Sequence, residues 1–176
     1  MHDLVLHGGR VIDPESGTDA ILDVGINRGT VTTVSKTPLE GRRVLDVAGR
    51  IVAPGFIDLH SHCADIPGLR LQALDGVTTA LELEAGVHPV ARAYDRAANE
   101  GRPINYGFST SWAAARLHVK AGIPTTGHPD DALTNVDLLG WQAEASPEEV
   151  VQILSLLEKD LSDGALGVGI LLGYAP

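Results

Sequence analysis

The sequence predicts an α/β fold: a partial (β/α)8 barrel over residues 53–176, preceded by a small β-sandwich over residues 1–52. Three observations predict it. Residues 1–52 read as short strands cut by turns, with no helical periodicity. After Pro54-Gly55, apolar runs of strand length alternate with helix-length segments, the order of parallel βα units. One of those strands then runs directly into His60-Ser61-His62.

Residues 4–12 are mostly apolar, and Gly8-Gly9 among them predicts a bulge or hairpin bend. Asp13-Pro14-Glu15-Ser16-Gly17 is a turn by composition. Ile21, Val24 and Ile26 mark a second strand, Asn27-Arg28-Gly29 a second turn, and residues 31–34 and 43–47 two more strands. Past Pro54, residues 56–59, 77–83, 104–108 and 166–172 read as strands; 69–74, 90–98 and 112–119 read as helical. The clearest helix begins at Ser146-Pro147-Glu148-Glu149, with serine as N-cap, proline in the first turn and Glu149 completing a capping box. Val150, Val151, Ile153, Leu154, Leu157 and Leu161 follow as a helical stripe, and Gly164 ends it. A complete (β/α)8 barrel takes about 250 residues. A truncated barrel is therefore expected, the more so because no helix follows the apolar run 165–174.

Composition narrows the function. The 176 residues carry 13 Lys+Arg against 23 Asp+Glu, a formal charge of −10. An acidic surface without a basic run repels phosphate backbones, so no nucleic-acid partner is expected. No apolar run approaches the roughly 20 residues that span a bilayer. Cys63, the single cysteine, has no internal partner for a disulfide, and the start of the chain lacks the features of a signal peptide. A cytoplasmic protein without a membrane partner is expected.

The chemistry sits in Ile51-Val52-Ala53-Pro54-Gly55-Phe56-Ile57-Asp58-Leu59-His60-Ser61-His62. Side chains on a strand alternate faces, so His60 and His62 point the same way and can share a cation at about 2.0–2.1 Å per bond. The C-terminal end of a barrel strand is where active sites form. Asp58, on the same face, is expected either to hold a ligand imidazole or to make a strand-end hydrogen bond. On the second barrel strand, Glu82 and Glu84 also share a face. Glu84, nearer the strand's C-terminal end, is the better expected ligand and Glu82 the weaker, with a solvated or salt-bridged pair as the alternative. Cys63 is expected to be a small buried thiol. Structural or surface roles are expected for His2, His7, His88, His118 and His128.

Val52-Ala53-Pro54-Gly55-Phe56-Ile57-Asp58-Leu59-His60-Ser61-His62 resembles the first-strand signature of the amidohydrolase superfamily. Gly9-Arg10-Val11-Ile12-Asp13-Pro14 and Asp46-Val47-Ala48-Gly49-Arg50 resemble its N-terminal β-domain. Within the superfamily the chain most resembles the N-acyl-D-amino-acid deacylases (D-aminoacylase and D-glutamate deacylase). Asp75-Gly76-Val77-Thr78-Thr79, Asn105-Tyr106-Gly107 and Asp163-Gly164-Ala165-Leu166-Gly167-Val168-Gly169 carry that likeness. A departure lies in Glu82-Leu83-Glu84-Ala85-Gly86, which lacks the metal-binding cysteine of several D-aminoacylases. The resemblance implies a Zn2+-dependent hydrolase of linear amides acting on an N-acyl amino acid. It implies metal ligands at His60 and His62, leaves Glu84 as the residue-level substitute for the absent cysteine, and puts Asn105, Tyr106, Ser109 and Ser111 near the site, with packing their favoured role. It leaves the substrate-binding residues unassigned. Its general-base aspartate falls on a later strand, beyond residue 176, so no catalytic residue is expected within the chain, and the chain alone is expected to be inactive. The alternatives are a cyclic-amide hydrolase of the dihydroorotase or hydantoinase kind, or a non-catalytic remnant. A homo-oligomer, or a second chain that completes the barrel, is the expected protein partner.

Overall fold

The computed structural model describes residues 1–135, 137–171 and 173. These fall into two compact units, Met1–Pro54 and Gly55–Pro176.

The first unit consists of β1 (His2–Asp13), β2 (Thr18–Asn27), β3 (Thr30–Ser35), β4 (Gly41–Asp46) and β5 (Ile51–Val52). Hydrogen bonds join all five in one sheet, ordered β3-β2-β1-β4 with β5 also on β1. The β1–β2 and β2–β3 pairs are antiparallel; β4 and β5 run parallel to β1. The bulge expected at Gly8-Gly9 is present as a register shift between Leu6 and Gly9, with Gly8 at φ 72°. Buried Asp23 fastens it. Its carboxylate accepts from the Gly8 N–H, the Leu39 N–H and His7 Nδ1, each at 2.9 Å. Val11, Leu22 and Val24 form the small core, flanked by Leu6, Ala20, Ile26 and Val52.

The second unit alternates strand and helix. It runs β6 (Phe56–Asp58), α1 (Ile66–Leu74), β7 (Val77–Val87), α2 (Val90–Glu100), β8 (Asn105–Ser111) and α3 (Trp112–Ala121). The short helices α4 (Asp130–Leu133) and α5 (Leu139–Gln142) follow, then α6 (Pro147–Ser162) and β9 (Val168–Gly169). All pairings are parallel, in the order β6-β7-β8-β9. Leu172, in the fourth expected strand, lies outside the described residues. Two buried clusters tie helices to the sheet: Val87, Val90, Ala93, Ala97 and Phe108 around α2, and a cluster of Ala85, Ala114, Leu117 and Trp141 around α3. Phe56 and Ile57 on β6 remain 68% and 62% exposed. Among the described residues, no helix is long and apolar enough to cross a membrane.

Helix α6 begins as the sequence indicates: Ser146 Oγ accepts from the Glu149 N–H, and the Glu149 carboxylate accepts from the Ser146 N–H. Its buried line differs from the expected stripe. Ile153 and Leu157 are buried, whereas Val150, Val151, Leu154 and Leu161 are exposed. Asp160 takes the next inward position, because 153, 157 and 160 recur at i, i+4, i+7. An apolar count passes over a carboxylate on that line. Asp160 is fully buried, accepting from His88 Nδ1 at 2.6 Å, Thr110 Oγ1 at 2.7 Å and the Val90 N–H at 3.1 Å. His88 therefore has the structural role expected of it.

Burial raises the Asp160 pKa, but the bonds from His88, Thr110 and Val90, with the His88 charge, outweigh burial and hold it below 3.8. A carboxyl whose pKa is lower folded than unfolded adds stability that is complete above the unfolded value. That stability fades as pH falls through the folded value. Asp160→Asn is expected to reduce the unfolding free energy at neutral pH by roughly 2–4 kcal/mol, since it leaves buried donors unmatched. In urea titrations the gap to the unsubstituted protein should narrow as pH drops below about 4. Equal stability of the two proteins at neutral pH would contradict this account.

Candidate metal centre

The centre is built where β6 ends against β7. Strand pairing stops at Asp58, but His60 still forms an isolated bridge to Glu82, and the Ser61 N–H donates to Leu81 O at 3.1 Å. These contacts keep the segment extended, so His60 and His62 lie on one side of it, as strand alternation predicts. Their rings meet edge to face with centroids 4.8 Å apart, and their Nε2 atoms are separated by 2.9 Å. Helix α1 braces the segment from behind. Gln72 Nε2 donates to Asp58 Oδ2 and to Ser61 Oγ, both at 3.0 Å.

Strand β7 supplies the facing carboxylates. Glu82 and Glu84 are two residues apart and share a face, but they sit at different depths. Glu84 is at the rim, its side chain 44% exposed, with Oε2 at 2.9 Å from His60 Nε2 and 3.2 Å from His62 Nε2. Glu82 is only 4% exposed. Its Oε2 lies 2.6 Å from His62 Nδ1, and its Oε1 accepts from the N–H groups of Ala85 and Gly86 at 3.1 and 3.3 Å. Burial lowers the His62 pKa, yet the Glu82 hydrogen bond and the charges of Glu82 and Glu84 carry it above the ordinary histidine value. Surroundings that favour an imidazolium also favour a cation at the same ring nitrogen.

The donor set fits a divalent ion. His60, His62 and Glu84 each offer one ligand atom to a common cluster. The triangle of His60 Nε2, His62 Nε2 and Glu84 Oε2 has sides of 2.9, 2.9 and 3.2 Å. Its circumscribed radius, about 1.7 Å, is shorter than a Zn–N or Zn–O bond of about 2.0–2.2 Å, so the three atoms are close enough together that one ion would bond to all of them. Nitrogen and oxygen donors suit zinc and its first-row neighbours.

Other expected site residues are placed elsewhere. Asp58 does not touch an imidazole: Oδ1 accepts from the His60 backbone N–H at 3.1 Å and Oδ2 from Gln72. The carboxylate that meets a ring is Glu82, which the sequence reading ranked below Glu84 as a ligand. Its signal was there, since a carboxylate deep in a strand and flanked by Leu81 and Leu83 requires partners. Cys63 is half-buried rather than buried. Ser109 Oγ donates to Leu83 O at 2.8 Å and stitches β8 to β7; Ser111 caps α3 by accepting from the Ala114 N–H. The exposed Asn105 amide donates to Thr78 O, and the Tyr106 ring lies tilted against Tyr94 and Phe108.

Residues 43–137 match the model of the amidohydrolase family. A dihydroorotase of Geobacter sulfurreducens is 31% identical over 97% of this chain and 41% of its own length. An N-acyl-D-glutamate deacylase of Alcaligenes xylosoxydans xylosoxydans is 39% identical over 92 residues, covering 48% of this chain and 18% of that protein. Among solved structures, N-acyl-D-glutamate deacylase of Bordetella bronchiseptica, complexed with zinc and a phosphonate inhibitor, superposes with a TM-score of 0.78 over 98% of this chain and 39% of its own. At 22% identity that last likeness is one of fold. The chain thus spans about two-fifths of the length of proteins that match nearly all of it.

Gly86 locks β7 beneath the site. Its φ is +66°, and a Cβ there would stand 2.7 Å from Thr110 O and 2.8 Å from Ser109 Oγ. Gly86→Ala is expected to cost roughly 2–4 kcal/mol from left-handed strain and overpacking. Urea unfolding checks this, and an unchanged midpoint would contradict the packing described.

Proposed function

The chain belongs to the amidohydrolase family, and on that premise we propose that it carries the cation-holding strands of a hydrolase of linear amides whose substrates are N-acyl-D-amino acids. The observation that carries the reading is the meeting of His60 Nε2, His62 Nε2 and Glu84 Oε2 within 3.2 Å of one another. These three residues hold the ion, and zinc is the ion expected from nitrogen and oxygen donors. A divalent cation bound there polarises an amide carbonyl and lowers the pKa of water. In the net reaction water adds across the amide: the acyl carbon keeps the oxygen as a carboxylate, the C–N bond breaks, and the nitrogen leaves protonated as the D-amino acid. His60 and His62 serve as neutral donors, while Asp58, Ser61 and Gln72 hold their segment in place.

The same reading takes the four parallel strands as consecutive strands of a (β/α)8 barrel, and the single five-stranded sheet of residues 1–52 as one layer of the expected small β-sandwich. The sequential order of β6-β7-β8-β9 and the apolar side chains left exposed on β6 support it. A second reading, hydrolysis of a cyclic amide, is favoured by the 31% identity to a dihydroorotase along almost the whole chain. Both readings break a C–N amide bond; they differ in whether the products separate.

Metal analysis and assay test these points. The purified protein should retain close to one equivalent of zinc, and His60→Ala and His62→Ala should each lose it. Full retention by both variants would refute the centre. The complete protein should release D-glutamate from N-acetyl-D-glutamate. Turnover of dihydroorotate with none of the acyl amino acid would replace the first reading by the second.

A further inference from the structure

We propose that Glu82 is the positioning residue of the centre: its carboxylate keeps the ring proton of His62 on Nδ1 and so turns the Nε2 lone pair toward His60 and Glu84. The inference rests on the cation reading above and adds the device that orients one of its ligands. A carboxylate only accepts hydrogen bonds, so a neutral His62 whose Nδ1 lies 2.6 Å from Glu82 Oε2 carries its proton on that nitrogen. The other nitrogen is then free to donate electrons, and it lies 2.9 Å from His60 Nε2 and 3.2 Å from Glu84 Oε2.

Glu82 is itself held in place. Its second oxygen takes the backbone N–H groups of Ala85 and Gly86, which satisfies a buried charge and prevents the side chain from swinging out to the rim. The motif Glu82-Leu83-Glu84 thus divides its labour by depth. The inner carboxylate anchors on backbone and orients a ring; the outer one reaches the ring nitrogens directly. His60 has no comparable brace, for among the described residues nothing bonds its Nδ1. One imidazole is fixed and the other adapts to it.

Outer-shell partners of this kind are worth about 10–100-fold in metal affinity. Zinc titration calorimetry on metal-depleted protein, with Glu82→Gln and His62→Ala beside the unsubstituted chain, reads that effect. Glu82→Gln is expected to bind zinc about 10–100-fold more weakly while its circular dichroism stays unchanged. Nitrogen-15 NMR of the histidine rings gives a second readout that needs no variant. At alkaline pH, metal-depleted protein should show His62 protonated on Nδ1 and bare at Nε2, and Glu82→Gln should lose that single tautomer. A His62 protonated on Nε2 in the unsubstituted protein overturns the proposal, even if the variant fails to fold. Loss of zinc in His62→Ala with unchanged affinity in Glu82→Gln overturns this inference alone. Unchanged binding in His62→Ala overturns the cation reading itself.

Discussion

Parallel pairing of β6 with β7 is the constraint on which the centre depends. It sets the end of a three-residue strand beside the middle of an eleven-residue one, so that the segment leaving β6 travels alongside Glu82 and Glu84. Strand alternation then determines everything that meets there. His60 and His62 share a side because they are two residues apart on an extended segment, and Glu82 and Glu84 do so for the same reason. A one-residue slip of β6 against β7 would turn the carboxylates' face away from the rings. The bridge of His60 to Glu82 and the Ser61–Leu81 hydrogen bond resist that slip.

Buried carboxylates fasten both units by one recurring arrangement. Asp23, Glu82 and Asp160 each accept from the Nδ1 of a histidine and from nearby backbone N–H groups, with His7, His62 and His88 as the respective rings. Each carboxylate is buried, so each needs several donors to remain charged there. What distinguishes the pairs is the far side of the ring. Among the described residues, only His62 presents its Nε2 to further donor atoms, those of His60 and Glu84. The other two pairs hold a β-bulge and a helix–sheet contact. The same chemical unit is thus structural in two places and part of a candidate site in the third.

Much of this was legible in the sequence, and the limits have physical causes. Period-two alternation exposed the His60–His62 pair, and the Ser146-Pro147 cap marked where α6 begins, because both are local signals. That Glu82 meets His62 was not legible, since the contact is set by which strand lies alongside, and no local pattern encodes that. Asp58 illustrates the converse: it shares a face with His60, yet the turn into the histidine segment points its carboxylate at the His60 backbone and Gln72. Asp160 was hidden because hydrophobic periodicity counts only apolar residues, whereas a carboxylate can occupy a core position once His88, Thr110 and Val90 surround it.

X-ray absorption at the zinc edge on the zinc-loaded protein tests the central claim most directly. The account predicts two imidazole nitrogens and a carboxylate oxygen among the nearest neighbours at about 2.0–2.2 Å, with the carboxylate signal lost in Glu84→Ala and too little zinc held by His62→Ala to give a spectrum. A spectrum showing only water or carboxylate oxygens around zinc, unaltered by those substitutions, would contradict it.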